Sequence, residues 1–318
     1  MHRYILKRIA MLLLVMLGVS LLIFFIMDLA PGDQALMILG EAATEEELNA
    51  LREELGLFDP FFVRYGRYML DFLQGDLGYS HKYLSDVLPL YLERLGATVV
   101  LALASALFAH LLSIPMGIYA ALHQGKVSDN IVSALAIVGL AAPNFWVGLL
   151  LIILFSLKLG MFHSGGFVTL SDVVLPAITV GTANMALLTR TTRSGMIDVL
   201  RSDYLMLARA KGVSEKMVVR KHALKNALIP IITVSGIQFS AMMGGAVTTE
   251  AVFSFPGIGT LLVGAIKSKD TVCVTGCLIL TSLLVSVILL AVDITMPMWI
   301  PALRRSTVSE VRAWRIQM

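Results

Sequence analysis

The connection richest in basic side chains contains Asp203-Tyr-Leu-Met-Leu-Ala-Arg-Ala-Lys-Gly-Val-Ser214, continuing to His222-Ala-Leu-Lys-Asn-Ala-Leu-Ile-Pro230. With Arg190, Arg193 and Arg201 upstream and Lys216, Arg220, Lys221 and Lys225 inside it, the stretch is strongly basic. Such groups pair with acidic surfaces or phosphate; they do not by themselves form a nucleophile–base set. Tyr204, Leu207, Ala208 and Lys211 recur at helical spacing, and Gly212 can turn the chain at a helix end. Ser214 caps the next helix, which runs from Glu215 through Met217, Val218, Lys221 and Leu224 toward Pro230. The expected product is a helix–glycine–helix elbow, basic on one face and apolar on the other. The pattern fits a solvated loop, a helix lying on anionic headgroups, or a docking element that carries force from a partner.

Elsewhere the chemistry is sparse. There is no Gly-x-x-x-x-Gly-Lys-Ser/Thr loop to cradle phosphates, and Gly125-Lys126 lacks the earlier glycine. If ATP drives this protein, another chain must bind it. His-Glu-x-x-His and Gly-x-Ser-x-Gly are missing too, so no catalytic residue, metal ligand set or cofactor site is assigned. Cys273 and Cys277, four apart in an apolar run, read as small buried hydrophobes. His110 and Asp293 fall inside apolar segments, where each is either a hydrogen-bonding partner for a neighbouring helix or a pathway residue. The 17 methionines are scattered in a manner that suits helix packing.

The elements that must position these residues follow from composition. The 318 residues are 57% hydrophobic and 15% charged, with mean hydropathy +0.82. Soluble domains carry about 25% charged residues, so much of this surface faces something other than water. The net charge of +3 is too small to point to nucleic acid. Six segments can cross the roughly 30 Å of hydrocarbon: Ile9–Met27, Thr98–Leu122, Ile131–Leu157, Val173–Thr189, Ile229–Thr249 and Val272–Trp299. The first is too long for a signal peptide, and Asp28-Leu-Ala-Pro-Gly is a poor cleavage site, so it is read as a retained helix. The fourth, diluted by Pro176, Gly181, Thr182 and Asn184, is expected to pack on other helices.

Six spans place four basic stretches on one side: Arg3–Arg8, Lys126, the 190–228 segment and the tail with Arg304, Arg305, Arg312 and Arg315. That side is the cytoplasm, with both termini inside. The acidic stretch 28–95 is then outside, folded as a small helical cap that serves as a docking platform or a lid. Within it Thr44 and Glu47 form a capping box, Leu48, Leu51 and Leu55 make one stripe, Gly56 ends that helix, and Asp59-Pro60 opens a second helix with proline at its first position. The expected organisation is a first span (1–27), the outer segment (28–95), a five-span core (96–299) with inner loop 190–228, and a tail (300–318).

The 203–230 stretch resembles the coupling-loop motif of the dipeptide/oligopeptide/nickel permease family of ABC importers. The likeness runs through Pro31-Gly-Asp33, Leu55-Gly-Leu-Phe-Asp-Pro60, Gly75-Asp-Leu-Gly78, Ala142-Pro-Asn-Phe-Trp146, Leu175-Pro-Ala177 and Glu250-Ala-Val-Phe-Ser-Phe-Pro-Gly-Ile-Gly259. Each string is weak alone; their shared order and spacing are specific. The chain departs from the family at Ile300-Pro-Ala302, at Asp293-Ile-Thr-Met296 and at Thr271-Val272.

The resemblance implies an all-α membrane protein of the type I ABC importer permease fold, in a bacterial or archaeal cytoplasmic membrane, moving di- or oligopeptides by alternating access. Nickel or a metal chelate is the alternative cargo, and a self-sufficient secondary transporter the competing class. The implied partners are a second, unlike permease, two ATPase subunits and an extracytoplasmic substrate-binding protein. By the same resemblance Tyr204, Ala208, Arg209, Ala210, Lys211, Gly212, His222, Asn226 and Pro230 couple to the ATPase, with Arg209 and Lys211 able to pair with its surface. Glu250, Phe253, Pro256, Gly257 and Gly259 belong to an extracytoplasmic gate or loop.

Overall fold

The computed structural model describes residues 2–29, 34–40, 42–244 and 246–299. Pro31–Asp33, Ile300–Ala302 and the basic tail lie outside the described residues. In chain order the helices are α1 (His2–Leu29), α2 (Gln34–Leu39), α3 (Glu45–Glu54) and α4 (Phe61–Leu73), then a small hairpin of β1 (Tyr79–Ser80) and β2 (Ser85–Asp86). The long α5 (Val87–Leu122) follows, then α6 (Val127–Ala141), α7 (Asn144–Leu151) and a π-helical continuation Ile152–Lys158. A 3-10 turn at Leu170–Val173 leads into α8 (Val174–Leu200), and α9 is Asp203–Ala210. One turn of α10 (Glu215–Met217) passes through a π turn (Val218–Ala223) into α11 (Leu224–Met243), followed by α12 (Val247–Val252), α13 (Ile258–Lys267) and α14 (Thr271–Trp299).

Five helical stretches are long and apolar enough to cross a membrane: Leu6–Leu29, Val87–Leu122, Leu170–Leu200, Glu215–Met243 and Thr271–Ile294. The expected third span differs in form, because Val127–Ala141 and Asn144–Lys158 meet at a bend of 101°. The cause is local: Ala142 is extended (φ −73°, ψ 123°), as a residue before proline prefers, and Pro143 has no N–H to continue the ladder. The fifth span starts at Glu215, earlier than the expected Ile229, because the helix runs through Pro230.

The chain forms two compact units. One gathers the residues up to Val99 with Met243–Ser286; the other gathers Val100–Met242 with the end of α14. In the first unit the capping box forms as expected: Glu47 N–H donates to Thr44 Oγ1 at 3.4 Å and the Glu47 carboxylate accepts from Thr44 N at 2.9 Å. Gly56, at φ +65°, closes α3 with Gly56 N bonding Glu53 O and Leu57 N bonding Arg52 O. Pro60 stands at the N-cap of α4, one position before the first helical residue Phe61, and not at the expected first helical position. Tyr65 is fastened to α1 through its hydroxyl, 2.8 Å from Ser20 Oγ, while the Phe24 ring lies edge-on to Phe61 and Tyr65. Arg64 grips Asp28 with both Nη atoms at 2.5 and 2.9 Å. The core of this unit holds Leu77, Val87, Leu90, Tyr91, Ile258, Leu261, Cys273 and Cys277; the two sulfurs are 3.9 Å apart and buried.

In the second unit α6 and α8 lie side by side, with Gly139 against Thr182 and Ala186. Small residues also let α5 approach α8, with Gly117 facing Thr189 and Thr192 and Gly181 facing Phe108. Polar side chains bond across the helices: His110 Nε2 is 2.6 Å from Ser235 Oγ, and Gln238 Nε2 donates to Asn184 Oδ1. His110 is therefore a hydrogen-bonding partner between α5 and α11.

Candidate coupling site

α8 ends at Leu200, and the chain resumes as α9 after two residues. Ser202 is extended at the N-cap (φ −75°, ψ 144°), its hydroxyl turned back onto Val199 O at 2.5 Å. Asp203 in the first turn and Arg209 in the last both oppose the helix dipole favourably. At the far end Gly212 takes φ +81°, Gly212 N bonds Arg209 O at 2.9 Å and Val213 N bonds Ala208 O at 3.2 Å. This is the paired closure of a Schellman motif, and its left-handed residue has to be glycine to avoid Cβ strain. Ser214 then occupies the next N-cap in an extended conformation, but its side chain makes no cap bond.

The elbow does not float. Leu205, Val218, Val219, Ala223 and Ala227 are buried with Met196 and Ile197 of α8 and Ala121 of α5, and Ala208 and Val213 pack against them. Asn226 Nδ2 donates to Tyr204 Oη at 2.5 Å and to His222 O at 3.4 Å, tying α9 to the start of α11. The apolar residues are therefore divided between two surfaces. Leu205 faces the core while Met206 (65%), Leu207 (57%), Met217 (50%) and Tyr204 (44%) stand exposed beside Ala210 and Lys211.

Arg209 is already engaged. Its Nε and Nη2 reach Glu215 Oε2 and Oε1 at 2.9 and 2.8 Å, bracing the two limbs of the elbow across Gly212. That hydrogen-bonded carboxylate pushes the Arg209 guanidinium above its ordinary value, and the guanidinium holds the Glu215 carboxyl below its own. Six residues of separation bring Glu215 within the fork of Arg209, and both side chains stay partly exposed. Glu215 and the exposed Met206 carried no distinctive sequence signal beyond helical periodicity.

The second group of expected residues folds inward. Phe253, Phe255, Gly257 and Gly259 are buried in the first unit, with Glu250 fully enclosed and Pro256 half-buried. Glu250 accepts from Thr98 Oγ1 at 2.9 Å and from Thr260 N at 3.1 Å, while Ile258 N donates to Thr98 Oγ1 at 2.9 Å. A Cβ on Gly257 or Gly259 would run into the Glu250 carboxylate. These contacts hold the 250–259 segment as part of the packed interior. Thr98, the residue that unites them, carried no motif in the sequence.

Among the described residues no three His, Cys, Asp or Glu side chains gather as a metal-binding group. The elbow presents an exposed apolar and basic surface and is seated by its buried residues on the end of α8.

Residues 113–305 match the family described as binding-protein-dependent transport system inner membrane component, and residues 1–102 match its N-terminal membrane-component family. The chain belongs to this family of ABC importer permeases. The permease is similar to the oligopeptide transport system permease protein AppB of Bacillus subtilis, 37% identical over 305 residues spanning 92% of this chain and 96% of the relative. It is also similar to the glutathione transport system permease protein GsiC of Salmonella paratyphi A, 38% identical over 304 residues, 96% of this chain and 99% of the relative. A solved structure of the MetNI methionine ABC transporter in an inward-facing conformation aligns with TM-score 0.55 at 18% identity, over 66% of this chain and 96% of that one. This places the permease in the type I importer fold.

Proposed function

We propose that this permease carries di- and oligopeptides inward across the cytoplasmic membrane, with both termini inside, as one of two unlike permeases served by two ATPase subunits and an extracytoplasmic binding protein. The single observation that carries the coupling role is the elbow 203–230: a short helix closed by Gly212, seated on α8 and showing Met206, Leu207 and Lys211 outward. An ATPase groove that takes this knob moves α8 when the ATPase closes, and rigid-body rocking of helices gives alternating access. The peptide reading rests on the similarity to oligopeptide and glutathione permeases over nearly the whole chain.

The test is Gly212→Leu, which places a side chain at φ +81° and strains the turn by about 1–2 kcal/mol, beside the double change Arg209→Glu with Ala210→Glu. Both are expected to insert normally and to lose ATP hydrolysis stimulated by substrate-loaded binding protein. Full transport in these variants refutes the coupling role. Purification of the tagged chain from mild detergent should bring down ATPase subunits and a second permease; the chain alone, importing into liposomes without ATP, would instead make it a secondary transporter.

A further inference from the structure

The start of α6 is tied to α8 by an ion pair whose carboxylate is buried and whose guanidinium is partly exposed. Asp129, 1% exposed, sits in the first turn of α6. Arg193 of α8 donates to its two carboxylate oxygens from Nε at 2.6 Å and Nη2 at 2.8 Å. The second oxygen also accepts Gly125 N at 2.9 Å, and Arg201 Nη2 reaches Gln124 Oε1 at 3.2 Å further along α8. Two planar groups joined by two parallel bonds fix orientation as well as distance. Sliding α8 against α6 would leave a buried carboxylate unpaired, a costly state.

The place of the pair in the chain gives it a purpose. Arg193 stands one turn before Met196 and Ile197, which are buried against Leu205, Val218 and Val219 of the elbow. The same stretch of α8 therefore holds the elbow on one side and the start of α6 on the other. α6 in turn packs along α8 through Gly139 and ends at the 101° break. We infer that the Asp129–Arg193 pair is the joint that passes displacement of the elbow from α8 into α6, so that α6 and α8 rock as one body. Asp129 and Arg193 are positioning residues here, and their role rests on the coupling reading of the elbow.

The test uses the assembled complex in proteoliposomes, with a mixture of isotope-labelled tripeptides as the transported probe and ATP hydrolysis measured in parallel. Asp129→Asn and Arg193→Lys are expected to assemble and to hydrolyse ATP, with uptake per ATP lowered about 3- to 30-fold. Exchanging the charges, Asp129→Arg with Arg193→Asp, should recover part of that ratio. Unchanged uptake per ATP in both single variants overturns the joint. Equal loss of hydrolysis and uptake, or failure of both variants to assemble, also overturns it, because the pair is then only a folding contact. If Gly212→Leu keeps full uptake, or the unaltered complex imports no tripeptide, the reading beneath the joint has failed. If Gly212→Leu loses stimulation while the pair variants transport normally, the elbow stands and the joint alone falls.

Discussion

Thr98 and Glu250, 152 positions apart in the chain, meet inside the first unit in a hydrogen bond of 2.9 Å. Thr98 Oγ1 is at once donor to the Glu250 carboxylate and acceptor for the Ile258 N–H. One hydroxyl thus ties α5 to both ends of the 250–259 segment, and Glu250 adds a bond from Thr260 N. Glu250→Ala removes the carboxylate acceptor and leaves the Thr98 hydroxyl and the Thr260 N–H unmet in the interior. It should destabilise the purified permease by about 2–3 kcal/mol, Thr98→Val by about 1–2 kcal/mol, and Glu250→Gln by less than either. Denaturant unfolding in detergent gives the order; equal stability of Glu250→Ala and the unaltered chain would remove the network as a brace.

The same carboxylate gives the first unit a pH dependence. Burial pushes the Glu250 carboxyl above its ordinary value of 4.5, against the pull of the Thr98 and Thr260 bonds. The folded state therefore holds this proton more tightly than the unfolded chain does. Its contribution is complete below about pH 4.5 and is lost as pH rises through the elevated folded value. Glu250→Gln should flatten that part of the profile, read as hydrogen exchange at the Ile258 and Thr260 amides. An identical slope in the variant would show that another group titrates.

Two glycines of α5 should respond in opposite directions to the same change. A Cβ on Gly117 would lie 2.5 Å from Thr192 Cβ and 2.8 Å from Thr189 O, so Gly117→Ala forces α8 away. Overpacking of this kind costs about 1–3 kcal/mol. Gly96 has no atom within 4 Å of its Cβ position, and Gly96→Ala should gain up to about 1 kcal/mol from helix propensity. Thermal unfolding of the two variants side by side checks the sign of each.

Arg64 and Asp28 hold α4 against α1 with side chains 22% and 24% exposed. Partial exposure keeps the contribution of such a pair to about 1 kcal/mol. Asp28→Asn should raise hydrogen exchange in α4 at low salt, with the difference shrinking as ionic strength grows. A difference that persists undiminished in high salt would assign the effect to packing around Phe24.

The sequence by itself determined the class of molecule and its local punctuation. Long apolar runs, a basic elbow and the absence of a phosphate-cradling loop are properties of consecutive residues, and hydrocarbon length or a missing Gly-x-x-x-x-Gly-Lys needs no tertiary context. The Thr44–Glu47 box and the glycine closures at Gly56 and Gly212 were legible for the same reason, since each bond spans a single turn. Only the tertiary structure decided which charges are committed. Arg209 is paired because the turn at Gly212 brings Glu215 into its fork. Asp129 and Arg193, 64 residues apart, and Thr98 and Glu250, further still, are joined by helix packing that no local pattern encodes. Asp129 lies in the polar link His123–Asn130, where a charge needs no explanation, so nothing in the sequence marked it for pairing. Which counter-charge answers it depends on the register of α6 on α8, and that is set by how closely Gly139 lets the two helices approach.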